Sequence, residues 1–316
     1  MLRISDARLD YFMAEDVPYV DLTSMILGIS EASGTMEYFS REACVVAGVD
    51  EVARLAKNAG CTVDVFAKTG NRIAPDEPIL QVRGLAGNLH QVWKVGLNLL
   101  DHLSAVATKT RTMVDAVHEV NPQCEVLTTR KSMPGCKDLL VEAVMAGGAF
   151  PHRLGLSETV LVFDHHMKFL GGFDEFVKRI PEFRSRCIEK KLFVEASANQ
   201  ARILAAAGID GIQFDKVPVE ELAALVKDLR AVNLHITLIA AGGVNPQNAA
   251  AYAATGVDGL ATTAPFTAKP IDMSVRMTAE ENAGPQATDV DKGQTLFHIV
   301  TAFLSETLVA FAQLKQ

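Results

Sequence analysis

Arg130-Lys131 and His152-Arg153 place two pairs of cationic donors at two neighbouring breaks in the chain, with a helix-like stretch between them. The first pair belongs to Thr128-Thr129-Arg130-Lys131-Ser132-Met133-Pro134-Gly135, where Pro-Gly ends any regular element. A guanidinium grips planar anions through parallel N–H donors, and an ammonium adds a compact charge. Either pair alone reads more simply as an ordinary solvated basic pair. The chain around them changes that reading, because its 316 residues carry a formal net charge of -8. An acidic protein is a poor partner for nucleic acid or an acidic membrane, so a local cationic cluster points to a small anion.

A second set of residues has the opposite sign. Glu195 and Asp215 close two successive apolar runs, Leu192–Ala196 and Gly211–Asp215. One carboxylate at a strand end is usually a solvated cap; two in successive strands suit a general acid or a divalent ion. Hard oxygens of this kind fit Mg²⁺ that arrives with a phosphate substrate and keeps much of its water. Gly242-Gly243 opens the loop after His235–Ala240 and reads as a tight turn or as a close approach of backbone N–H groups to phosphate. A helix expected at Pro246–Ala254 would aim its N-terminus at the same place. Thr262-Thr263 ends the next run. His165-His166 has the composition of a metal pair, but adjacent residues on a strand point to opposite faces, which argues against joint ligation. His118, His235 and His298 read as structural.

These residues need a scaffold, and the pattern supplies one. From Glu125 onward, short apolar strands alternate with helices closed by Gly208 and Gly256. That rhythm predicts a parallel βα barrel or open sheet of six or seven strands, with the polar residues above on the loops at the strands' C-terminal ends. Upstream, short strand-like runs such as Ile79–Val82 precede a long helix or helix pair from His90 to about Val120, and Asn121-Pro122 breaks it. Apolar residues make up 49% of the chain, enough for a sizeable core. The five cysteines are widely spaced and form neither a CxxC pattern nor a disulfide framework, so a reducing cytoplasm is expected. No run reaches the length of a membrane span.

Thr129–Gly135, Gly147-Gly148 and His152-Arg153-Leu154-Gly155-Leu156 together resemble the TRKTxPG…GG…HRxxL block of the quinolinate phosphoribosyltransferases, also called nicotinate-nucleotide pyrophosphorylases (carboxylating). The likeness continues through Asp21-Leu22-Thr23-Ser24, Val194-Glu195-Ala196, Ile212-Gln213-Phe214-Asp215 and Ala241-Gly242-Gly243-Val244. It implies an α/β fold: an N-terminal α/β sandwich and a C-terminal incomplete α/β barrel of about seven strands. The expected division is 1–115 for the sandwich, 116–277 for the barrel, and 278–316 for a tail whose apolar helix, Thr295–Ala312, returns to the sandwich or a dimer interface.

The resemblance also implies a homodimer with shared sites, 5-phosphoribosyl 1-pyrophosphate (PRPP) with Mg²⁺, and a small acidic or heterocyclic acceptor. Carried over by position, Arg130, Lys131, His152 and Arg153 would hold substrate carboxylate and pyrophosphate, with Lys131 among the catalytic groups. Glu195 and Asp215 would face Mg²⁺ and the ribose, while Gly242, Gly243, Thr262 and Thr263 would hold the 5′-phosphate. Lys94 stands where the family places an Arg that reaches into the partner's site. Phe163-Asp164-His165-His166 replaces a Lys-Asp-Asn-His run, putting Phe163 and His165 at acceptor-binding positions. Ile239 replaces a glutamate, and Thr263-Ala264-Pro265-Phe266 resembles the ModD branch, pyrophosphorylases associated with molybdenum transport. These departures leave the PRPP side and remove a cation from the acid side, so an acceptor less charged than quinolinate, or differently shaped, is expected. A second reading is a non-catalytic anion or nucleotide sensor on the same fold.

Overall fold

The computed structural model describes residues 2–280, so the helix expected at Thr295–Ala312 lies outside the described residues. Helices α1 (Asp6–Asp16) and α2 (Leu22–Leu27) lead into β1 (Ser33–Ser40), β2 (Cys44–Val45), α3 (Val49–Asn58), β3 (Thr62–Val65), β4 (Arg72–Ile73) and β5 (Pro78–Leu85). Helix α4 (Ala86–Val120) follows, then β6 (Glu125–Thr128), α5 (Lys137–Ala146), β7 (Phe150–Pro151), β8 (Val160–Val162), α6 (Asp164–Lys168) and α7 (Phe173–Arg186). The chain continues through β9 (Leu192–Ala196), α8 (Ala198–Ala206), β10 (Gly211–Asp215), α9 (Val219–Val232), β11 (Thr237–Ala241), α10 (Ala249–Ala253), β12 (Gly259–Thr262) and β13 (Met273–Ala279).

Two sheets result. The first is antiparallel in the order β13-β1-β5-β3, and β13 brings the chain back to pair along β1. The second has seven strands in the order β7-β6-β12-β11-β10-β9-β8, and every pairing in it is parallel. Strands β9 to β12 are almost wholly buried, as near-continuous apolar runs must be when both faces of a parallel sheet are covered. The sheet curls: Leu161, Phe193, Ile239, Ala241 and Ala261, from four different strands, meet in one inner cluster with Leu127 and Phe163 against it. Gly211 belongs to this packing, since a Cβ there would lie 2.2 Å from the Phe193 ring. Strands β7 and β8 remain unpaired with each other, which leaves the barrel incomplete.

The long helical stretch is one unbroken helix. Its apolar face is buried from Leu89 to Val117, first against the antiparallel sheet and then against α5 and α10 of the barrel. Gly96 makes the first contact possible, because a Cβ there would lie 2.5 Å from the Tyr38 hydroxyl, which donates to Val92 O at 3.2 Å. Gly147 does the same for the second, where a Cβ would lie 2.4 Å from Thr110. Helix α4 therefore runs through the expected boundary at 115 and serves both sheets. Among the described residues no helix is long and apolar enough to cross a membrane.

One polar contact inside this packing is sensitive to pH. Glu51 of α3 and Glu142 of α5 are 2% and 4% exposed and face each other, and one oxygen of each lacks a donor. Burial, then the neighbouring Glu51 charge, pushes the Glu142 carboxyl up to about 8 from an ordinary 4.5. The folded chain thus holds a proton that the unfolded chain releases near pH 4.5. The associated stability is complete below that pH and is lost as pH rises through about 8. Glu142→Gln, which keeps a donor toward Glu51, should flatten this decline and melt higher than wild type at pH 8.5 by about 2 °C or more. Melting curves of the two proteins from pH 5 to 8.5 check this, and parallel profiles would contradict it.

Candidate functional site

The C-terminal ends of the parallel strands open into a cavity of about 600 Å³. Its cationic wall comes from the loops after β6 and β7, which supply Arg130, Lys131, His152 and Arg153. Thr129 Oγ1 and Thr263 Oγ1 share a hydrogen bond of 2.8 Å and tie the end of β6 to that of β12. Arg153 is fixed across the open edge of the barrel, where its Nη1 donates to Thr159 O at 2.7 Å. Partial burial, and after it the nearby Arg130 charge, lowers the Arg153 pKa below the usual arginine value. Among the described residues no ion pair engages Arg130, Lys131 or Arg153. Like charges held close without direct ion pairs favour an anion from solution between them.

The acidic wall faces them. Glu195 and Gln213 are register partners on β9 and β10, and Asp215 is the next inward residue of β10. Burial first, and Asp215 as well, raises the Glu195 carboxyl above its usual range, while Gln213, Lys131 and His165 act in the other direction. Gln213 Nε2 donates to Glu195 Oε2 at 2.8 Å, and Gln213 Oε1 lies 3.1 Å from His152 Nε2. Burial depresses the His152 pKa, so this imidazole is neutral near pH 7.

The glycine loop is shaped by Asp215. A Cβ on Gly242 (φ +81°) would lie 2.3 Å from Asp215 Oδ1, so only glycine lets the loop lie against that carboxylate. Gly243 (φ +90°) has open space around it and needs glycine for its backbone angle alone. Side chains engage the loop's carbonyls: Asn245 Nδ2 and Asn248 Nδ2 donate to Gly243 O at 3.0 and 3.1 Å, and Thr262 Oγ1 donates to Val244 O at 2.6 Å. The Thr262 hydroxyl also accepts from the Ala264 N–H at 3.0 Å. It is thereby spent on supporting the loop, whereas Thr263 lines the cavity from the half-buried strand end.

Eleven of the residues singled out by type and spacing thus line one cavity, Phe163 and Thr262 among them. Two do not. Lys94 is exposed on α4, and His165 is exposed on α6, both outside the cavity lining. The stretch at His165-His166 is helical rather than extended, because the His166 Nδ1 accepts the Phe163 N–H at 2.9 Å and caps a turn there. The strand argument against joint ligation does not apply, yet His166 is already engaged. Helix α10 begins at Ala249 rather than at the expected Pro246, because the Asn245 side chain accepts the Gln247 N–H and turns the backbone first. Gln213 is the participant that residue typing overlooked; its only signal is a lone amide in the apolar run Ile212-Gln213-Phe214.

Comparison with known proteins assigns the family. Residues 21–104 match the family model for the quinolinate phosphoribosyl transferase N-terminal domain, and residues 106–276 match that for the C-terminal domain. The chain is 34% identical over 276 residues to the "Putative pyrophosphorylase ModD" of Pasteurella multocida, covering 87% of this chain and 98% of that one. A protein of the same name from Rhodobacter capsulatus is 37% identical over 251 residues, covering 79% and 96%. The crystal structure of NadC from Streptococcus pyogenes, 24% identical, superposes with a TM-score of 0.81 over 89% of this chain and 100% of that one, a likeness of fold. The chain belongs to the quinolinate phosphoribosyl transferase family and so to the pentosyltransferases.

Proposed function

We propose that this chain joins a ring nitrogen of a heterocyclic acid to C1 of PRPP, with pyrophosphate leaving on the electron pair of the broken C1–O bond. The observation that carries the reading is the two-signed cavity, in which Arg130, Lys131 and Arg153 make no ion pair among the described residues and lie with Glu195 and Asp215 in one lining. An oxocarbenium-like state separates charge in the same sense. Cations hold the leaving pyrophosphate, and carboxylates face the electron-poor ribose. Lys131 takes the pyrophosphate, Arg130 and Arg153 take the acceptor's carboxylate, and the loop at Gly242, Gly243 and Thr263 takes the 5′-phosphate.

Glu195 and Asp215 offer two hard oxygen ligands, and no group of three or more metal-ligating side chains occurs among the described residues. That donor set fits a partly hydrated Mg²⁺ carried by pyrophosphate oxygens better than a resident metal cage. When bound, Mg²⁺ would neutralise pyrophosphate charge. A sensor on the same fold would bind PRPP without releasing pyrophosphate, and the retained carboxylate pair favours turnover.

PRPP with Mg²⁺ should raise the melting temperature, because a ligand at about a hundred times its Kd stabilises by about 2.7 kcal/mol. Arg130→Ala should leave the melting temperature of the empty protein nearly unchanged, since its side chain makes no ion pair among the described residues, yet weaken acceptor binding by about 2 kcal/mol or more. A variant that unfolds instead would show Arg130 to be structural.

A homodimer with shared sites belongs to the same reading. Lys94 is exposed on α4 and outside its own cavity, a placement suited to serving a neighbour's. Mixing inactive Lys94→Ala protein with inactive Arg153→Ala protein should restore activity, because one hybrid site is intact. Subunit exchange without any recovery would contradict the shared site.

Phe163 packs on the apolar inner cluster at the position where the family resemblance leads one to expect a lysine. A dicarboxylate would leave one carboxylate uncompensated there, at about 1–3 kcal/mol. Quinolinate turnover should therefore be weak, and Phe163→Lys should raise it; brisk wild-type turnover of quinolinate would refute this role of Phe163.

A further inference from the structure

The hydrogen-bond chain through Gln213 has a direction. The Gln213 amide aims its NH₂ at Glu195, where Nε2 donates to Oε2 at 2.8 Å. Its Oε1 then faces His152, and oxygen of an amide only accepts. The 3.1 Å contact to His152 Nε2 is therefore made by an Nε2–H. A neutral imidazole carries one N–H, so His152 Nδ1 is left as a bare lone pair. Nδ1 has no protein partner among the described residues, and His152 lines the cavity. What His152 offers a ligand is thus a hydrogen-bond acceptor, in a wall where Arg130 and Arg153 are donors.

Resting on the reading of the cavity as a phosphoribosyl-transfer site, we propose that Gln213 sets the acceptor class. By locking His152 in its Nε2–H form, it selects a heteroaromatic acid that carries a hydrogen-bond donor, an amino or hydroxyl group, beside a single carboxylate. Gln213 is a positioning residue in this account, since it reaches the substrate only through His152. The rest of the lining agrees. Arg130 and Arg153 meet one carboxylate, and Phe163, Leu161 and Ala261 give the ring an apolar wall with no further charge. A second carboxylate would bring its oxygens against the Nδ1 lone pair, where two acceptors repel. A site built around one polar partner discriminates strongly against analogues that lack it, because the buried group is then left unpaired. Gln213 itself is 7% exposed and satisfied at both ends, so the lock is rigid.

The test uses the full chain with PRPP and Mg²⁺, reading pyrophosphate release with pyridine-3-carboxylate, its amino- and hydroxy-substituted counterparts, and quinolinate. The best donor-bearing acid should exceed the unsubstituted one by about tenfold or more in kcat/KM. In Gln213→Leu that preference should collapse to within about threefold while PRPP binding persists. The wild-type tautomer is read independently by ¹⁵N NMR of His152, which should show a protonated Nε2 and an unprotonated Nδ1. A protonated Nδ1, equal use of substituted and unsubstituted acids, or a preference unchanged in Gln213→Leu would each overturn the proposal. Should Gln213→Leu fail to fold, the tautomer and the wild-type preference still decide it. Failure of PRPP to bind at all would instead strike the reading of the site as a phosphoribosyltransferase.

Discussion

A curled sheet of seven parallel strands has two edges that its own backbone does not join, and the site is built where side chains span that opening. Strand β7 ends at Pro151, just before His152-Arg153, and β8 begins at Val160. Arg153 reaches the Thr159 carbonyl across the edge, while His152 reaches over the lumen to Gln213 in the middle of the sheet. From there the chain of hydrogen bonds passes to Glu195 on the next strand. The cationic and acidic walls are therefore held at a fixed separation by neutral amide and imidazole groups, and the charges themselves remain available. Had Arg153 and Glu195 paired directly, the walls would have cancelled each other and left nothing for a charged ligand to do.

Rigidity on both sides of the cavity has the same origin. The Gly242 backbone lies against Asp215 because no Cβ intervenes, and the loop carbonyls are tied back by Asn245, Asn248 and Thr262. Below the rim, Phe193 and Gly211 interlock in the lumen, and α4 carries both sheets on one buried face. Groups that must stabilise charge in a transition state do so most effectively when they need not move to reach it. The fold meets that condition by placing its polar residues on strand ends and its packing beneath them.

Much of this was legible in residue types alone. Arg130-Lys131, His152-Arg153, Glu195, Asp215 and Gly242-Gly243 share one position in a repeating strand–loop–helix pattern, and that position is the mouth of a parallel barrel. Gln213 was not legible, because an amide within an apolar strand gives no sign of which partners it will find across a lumen. The short α10 escaped for a local reason: Asn245 and Asn248 compete with helical hydrogen bonds, and the helix starts only after them. At His165-His166 the same kind of competition ran the other way, with a histidine side chain capping a turn that composition reads as strand. The single long α4 depended on Gly96, whose missing side chain admits Tyr38 and removes any need for a break.

The central claim is that one cavity holds both ends of PRPP, with pyrophosphate against the cationic wall and the 5′-phosphate at the glycine loop. A crystal structure of the protein with PRPP and Mg²⁺ tests it most directly. The account predicts pyrophosphate oxygens beside Lys131, ribose hydroxyls toward Glu195 and Asp215, and the 5′-phosphate over Gly242 and Gly243. PRPP bound in the reverse sense, or outside this cavity, would contradict it.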